Sequence, residues 1–331
     1  MKLTLDRLRG RAAQQTLPRW LRFLGVAVLL AALAVVGALI VRNWQAIRAY
    51  DWELRWWPLL VALPLYPLTN GLAAYLWTLL LARLGAEVRF GPSLYAFLVS
   101  NLARKLPTPV WFLGGRVLLA REQGVPESAS SAALVIEQAL SLLAAIIVAL
   151  LAGVVGGVSL VGGLWRWVLI VAAAGCLGFL AWPGLLLRLV NWTMRKLGSA
   201  QRVASTAGPR DIVYWLLIDM ASWVCGGLVY CCTCLALYAV PLSLWPALIS
   251  LSALGGAVSF LSLVLPAGLG LREATTAAML ATLLPVPVAV TVPLLSRLWY
   301  LVNDLLWAAV AALGHMLVGR RHRKLQNSPN G

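Results

Sequence analysis

Charge is what this chain has least of. Asp, Glu, Lys and Arg make up 11% of its 331 residues, while 61% are hydrophobic. An ordinary soluble domain is about a quarter charged, and no polar stretch here is long enough to fold as a soluble unit, so a separate soluble domain is excluded. Histidine is scarcer still. His315 and His322 both lie near the C-terminal end, where neither stands in position to act as a base. There is no HExxH, no Cys/His metal set, no Walker loop, no nucleophile elbow and no paired-aspartate motif. These absences leave hydrolytic, metal-assisted and ATP-driven chemistry without residues to perform it. The expectation is a chain that is not an enzyme and takes no cofactor or metal. Four of the five cysteines, Cys225, Cys231, Cys232 and Cys234, share one apolar run with no histidine near. Inert buried thiols fit them better than metal ligands.

What the chain does have is long apolar runs. Several reach the roughly 20 residues that cross a bilayer as a helix, so the fold class is an all-α polytopic integral membrane protein. Six runs read as full transmembrane helices, at about 23–41, 57–81, 128–155, 165–187, 212–240 and 292–318. The first is longer than a signal-peptide core and lacks a convincing cleavage site, so it reads as a retained span. Trp44, Trp52, Trp56 and Trp57 cluster before the second run, as indoles do at the lipid–water boundary. Pro58, Pro64 and Pro67 predict a kink within it. Residues 1–22 form a basic tail, 23–318 one membrane domain, and 319–331 a second basic tail.

Two further stretches are apolar at both ends and broken in the middle. Between Ser93 and Ala120 the break reads Arg104-Lys105-Leu106-Pro107-Thr108-Pro109, followed by Gly114-Gly115-Arg116. Between Ala247 and Leu284 it reads Leu265-Pro266-Ala267-Gly268-Leu269-Gly270-Leu271-Arg272-Glu273. Proline bars a continuous helix, and broken backbone or charge at membrane depth requires protein or trapped water to satisfy it. Two half-helices forming a re-entrant hairpin fit each stretch. For the first, an ordinary kinked span is the alternative.

Basic residues exceed acidic ones 27 to 11, giving a net charge of +16. With no soluble basic face behind them, nucleic acid is not the partner. Their distribution instead tests the topology. If both broken stretches are re-entrant, 18 Lys/Arg fall in the tails and loops of one side and 4 on the other, with 5 inside apolar segments. By the positive-inside rule both termini are cytoplasmic. The two hairpins then enter from opposite faces, and the halves 23–155 and 164–318 form an inverted repeat, as in many secondary transporters.

The charges inside the apolar segments are the candidate site. Arg116 and Arg272 each follow a glycine-containing break. A half-helix starting after Gly270 would aim its N-terminal amides inward, and amides plus arginine suit an anion such as phosphate. Arg104, Lys105 and Arg297 are secondary candidates. Glu137, Asp219, Glu273 and Asp304 are the buried acids available to balance these cations or to carry a coupling proton; both roles stay open, and Asp219, about two turns into its span and toward the interface, is the least favoured for function. Arg297 and Asp304 are seven apart and share a helix face. Pro107, Pro109, Gly114, Gly115, Pro266, Gly268 and Gly270 are read as hairpin tips.

These same residues resemble a known family, the flippase-like membrane region of lysylphosphatidylglycerol synthases. The resemblance rests on Lys105-Leu106-Pro107-Thr108-Pro109-Val110-Trp111, Gly115-Arg116, Ile136-Glu137-Gln138, Pro266 to Glu273, and Arg297. The family carries Pro-Gly at the first hairpin where this chain has Pro107-Thr108-Pro109. The resemblance implies translocation of an anionic phospholipid or polyprenyl-linked headgroup across a bacterial inner membrane. It gives no ground for aminoacylation, because the soluble aminoacyl-transferase domain of the full-length synthases is lacking. Two rival readings stand: a non-transporting subunit that anchors or regulates an envelope glycosyltransferase or lipid-modifying enzyme, and a membrane-embedded transferase acting on a lipid phosphate. The expected partners are membrane lipids and, on the first rival reading, an envelope-biosynthesis enzyme.

Overall fold

A computed structural model of the chain describes residues 37–38, 41–86, 88–103, 109–157, 192, 208–264 and 268–326. The spans expected at 23–41 and 165–187, the tail 1–22 and both hairpin breaks (104–108 and 265–267) lie outside the described residues in whole or in large part. Every element among those described is helical. After a short α1 (Trp44–Ala49) come α2 (Trp57–Arg83), α3 (Phe90–Ala103), α4 (Pro109–Glu122) and α5 (Glu127–Val155). Then follow α6 (Pro209–Leu237), a 3-10 turn (Leu242–Leu244), α7 (Trp245–Val264), α8 (Gly268–Leu280) and α9 (Val286–Gln326).

Proline marks the starts. Pro58 lies in the first turn of α2, Pro109 opens α4 and Pro209 opens α6. The amide that proline lacks is unpaired there in any helix. The same logic moves the start of the last helix. The sequence pattern places it at 292, beyond Pro285 and Pro287, yet α9 begins at Val286 with Pro287 in its first turn, and it runs through Pro293. α2 likewise continues through Pro64 and Pro67. Gly85 and Gly124 close α2 and α4 with φ of 82° and 83°. At each, the next residue's amide reaches back five positions, Ala86 to Leu81 O and Val125 to Ala120 O, a closure that needs the left-handed conformation glycine supplies. Hydroxyls inside the apolar helices are satisfied locally: Thr69, Thr233 and Thr291 each donate to the carbonyl four residues back.

Among the described residues, five helical stretches are long and apolar enough to cross a membrane: Trp57–Arg83, Glu127–Val155, Arg210–Leu237, Leu242–Phe260 and Val286–Gly314. Four coincide with predicted spans. The fifth is the turn plus most of α7, which the sequence pattern assigns to the first half of a hairpin. By contrast α3 and α4 have 14 residues each, about 21 Å at 1.5 Å per residue, short of a bilayer core of about 30 Å.

Contacts at the two ends of the bundle fix the helix directions. At one end Arg83 pairs with Asp211 at 2.6 Å. At the other the Arg55 amide donates to Ala236 O at 2.8 Å. Helices α2 and α6 are therefore antiparallel. Gln123, just past α4, donates to Pro92 O in the first turn of α3, so α3 and α4 leave and return at one end. Leu248 and Leu251 of α7 share a cluster with Leu280, Leu284 and Val288, beside Trp52 and Trp245. The α7–α8 pair thus opens at the opposite end.

The principal packing is closed under one exchange. Swapping α2 with α6, α3 with α7, α4 with α8 and α5 with α9 converts each main contact among these eight helices into another. α5 on α7 becomes α9 on α3; α4 on α5 becomes α8 on α9; α2 on α5 becomes α6 on α9. Around this frame, large apolar side chains such as Leu60, Leu68, Val154, Leu217, Leu298 and Leu305 are exposed, as lipid-facing surfaces are.

Candidate functional site

Arg116 lies two turns into α4 and is fully buried. Its Nη1 donates to Glu137 Oε1 and Oε2 at 2.8 and 2.7 Å. Its Nε donates to Ser100 Oγ at 3.0 Å, and its Nη2 to Asn101 Oδ1 at 3.1 Å. The guanidinium carbon is 4.0 Å from the Phe97 ring centroid and 4.7 Å from that of Phe112. A buried charge is tolerable only with this kind of pairing and hydrogen bonding, and the aromatic faces add cation–π attraction. The polar line continues beyond it. Asn101 donates to Asn70 Oδ1 at 2.9 Å, and Asn70 to Tyr66 O at 3.1 Å. From there the Tyr66 hydroxyl donates to Asp304 Oδ1 at 2.5 Å. One chain of contacts therefore links α5, α4, α3, α2 and α9.

Helices α8 and α9 carry a related arrangement with the signs exchanged. The short α4 supplies Arg116 and the long α5 supplies Glu137. The short α8 supplies Glu273 and the long α9 supplies Arg297, joined at 2.9 Å. This pair is less enclosed: the Glu273 side chain is 11% exposed and that of Arg297 47%.

Arg272 differs from both. It is partly buried, and its guanidinium sits 5.8 Å from the Tyr300 ring centroid. It makes no hydrogen bond or ion pair among the described residues. Its stem runs along α7 where Gly255 leaves room: a Cβ there would meet Thr276 Oγ1 at 2.9 Å and Arg272 Cγ at 3.7 Å. Tyr230 is within its electrostatic reach, and the buried Tyr230 hydroxyl has no partner among the described residues.

The structure thus brings Arg116 to Glu137 and Arg297 to Glu273. It does not join Arg297 to Asp304, which instead accepts from Tyr66. Of the predicted tips, Pro109 opens α4 and Gly268 opens α8, three residues earlier than a start after Gly270. Gly114, Gly115 and Gly270 lie inside helices rather than at breaks. Arg104, Lys105, Pro107 and Pro266 fall outside the described residues. Cys225, Cys231, Cys232 and Cys234 are free thiols, and no cluster of three His, Cys, Asp or Glu able to hold a metal occurs among the described residues. Sequence reasoning overlooked Ser100, Asn70 and Tyr66 as site members. The one available signal was hydrogen-bonding side chains within apolar runs.

Long apolar helices, lipid-facing side chains and charges held between helices define a multi-pass helical membrane protein. Residues 20–308 match the family described as the lysylphosphatidylglycerol synthase TM region, and the chain belongs to that family of membrane proteins related to lipid handling. No curated protein matches the chain.

Proposed function

We propose that the protein moves an anionic phospholipid or lipid-linked headgroup across a bacterial inner membrane, acting as a transporter rather than an enzyme. Both termini lie in the cytoplasm, and the α3–α4 and α7–α8 pairs are re-entrant hairpins of an inverted repeat. The exchange symmetry of the packing, the antiparallel α2 and α6, and the opposite openings of the two pairs all support that reading. The observation that carries the substrate class is Arg272: a cation between helices that makes no ion pair or hydrogen bond among the described residues. A phosphate would receive the guanidinium and a charge contribution from the N-terminal end of α8. The acyl chains would stay among the exposed apolar side chains. Arg116, saturated by Glu137, Ser100 and Asn101, braces the first hairpin. Rocking of one half against the other would present the headgroup to each face in turn.

The test is lipid movement by the purified chain. Proteoliposomes carrying a fluorescent anionic phospholipid or polyprenyl phosphate are treated with a membrane-impermeant quencher. Inner-leaflet label reaching the outer face faster than in protein-free vesicles is the expected result. Identical rates, together with a co-purifying enzyme partner, would favour the reading as a non-transporting subunit.

A further inference from the structure

Beside the Arg116–Glu137 pair lies an acid that the pair does not balance. Asp219, on α6, is 3% exposed. It faces Glu137 and Ser141, which are about one turn apart on α5. Its Oδ2 has no hydrogen-bond partner among the described residues. Glu137 already holds Arg116 through both carboxylate oxygens. Ser141 Oγ receives Trp223 Nε1 at 3.2 Å. The helices packed on α6 are α2, α5, α7 and α9. Among the described residues Glu137 of α5 is the titratable group that acts on Asp219, and α2, α7 and α9 present none. Two carboxyl groups therefore lie close together between α5 and α6, and the one guanidinium of the cluster is held by Glu137. A second negative charge there has no counter-ion among the described residues, and an unpaired charge at membrane depth is costly. A proton on Oδ2 removes that charge. A hard metal cation would need several oxygen ligands, and no group of three His, Cys, Asp or Glu able to hold a metal occurs among the described residues.

We infer that Asp219 is a proton-binding site, and that its protonation couples the motion of α5 against α6 to a proton gradient. The coupling half of this inference rests on the lipid-moving reading above. In the coupled step the Oδ2–H bond breaks, its electron pair stays on the carboxylate, and the proton leaves on a water admitted from one face. The ionised Asp219 then faces Glu137 across the α5–α6 interface until a proton returns from the other face.

Proton occupancy can be read without transport. Infrared difference spectra of the full chain in lipid, taken between low and high pH, should show the carbonyl stretch of a protonated carboxylic acid. That band should shift with carboxyl-labelled aspartate, vanish in Asp219→Asn and return in Asp219→Glu. A band unchanged in Asp219→Asn, or no aspartate-sensitive band at all, would overturn the site. In proteoliposomes, wild-type lipid movement should respond to the direction of an imposed pH gradient, and Asp219→Asn should lose that response. A response to a sodium gradient instead would overturn the proton assignment. If the wild type moves no lipid, the functional proposal fails while the spectra still decide whether Asp219 binds a proton.

Discussion

Removing Glu137 should be among the most damaging single changes in the membrane domain, and the structure says why. In Glu137→Leu the fully buried Arg116 loses both of its charge-assisted contacts, at 2.8 and 2.7 Å. Arginine cannot escape by giving up its proton. Ser100, Asn101 and the rings of Phe97 and Phe112 remain, but none carries negative charge. Breaking a buried ion pair from one side costs about 3–5 kcal/mol. Asp219 faces Glu137 from α6, so Glu137→Leu/Asp219→Asn, which removes both carboxylates, is the cleaner variant and should show the full cost. Arg116→Met should cost less than that double variant, because Glu137, left alone, can neutralise itself by binding a proton. Arg116→Met with Glu137→Leu removes both charges and should recover most of the loss. The assay is reversible unfolding in mixed micelles, followed by tryptophan fluorescence, with a double-mutant cycle built from the four chains. Additive losses, or a cost below about 1 kcal/mol for Glu137→Leu/Asp219→Asn, would refute the claim that this pair braces the first hairpin.

Two other predictions concern packing and orientation. A Cβ on Gly256 would lie 2.2 Å from two Trp223 ring atoms, so Gly256→Ala should push α7 off α6 and cost about 1–3 kcal/mol, seen as a lower unfolding midpoint. Cysteines introduced at Arg48 and Arg89 should label from opposite faces of sealed vesicles with an impermeant thiol reagent; labelling from one face would contradict the proposed topology.

The class of protein was legible because apolar run length is a local property. Each run had to be helical to satisfy its own backbone in lipid. The start of α4 was legible too, since Pro109 suits the first position of a helix, where its missing amide costs nothing. What could not be read was partnership. Arg116 and Glu137 are on different helices, and their meeting depends on how α4 packs against α5. Arg297 and Asp304 illustrate the converse. Their spacing places them on one face, yet each finds its partner on another helix, Glu273 of α8 and Tyr66 of α2. The first turn of α9 departs from the sequence pattern because Pro285 and Pro287 read as a stop, whereas proline early in a helix is also a start. Length alone could not decide α7, since a run long enough to span can equally form one arm of a hairpin.

The central claim is that Arg272 holds the headgroup while Arg116 braces the fold. Lipid movement in proteoliposomes should therefore be compared for wild type, Arg272→Ala and, as a control remote from the site, Arg83→Ala. Loss of a charge-assisted hydrogen bond of about 1.5–3 kcal/mol predicts a fall of roughly ten- to a hundredfold in Arg272→Ala. Its unfolding midpoint should stay near wild type, since Arg272 makes no hydrogen bond or ion pair among the described residues. Arg83→Ala should move lipid at the wild-type rate. Equal rates in wild type and Arg272→Ala would contradict the account.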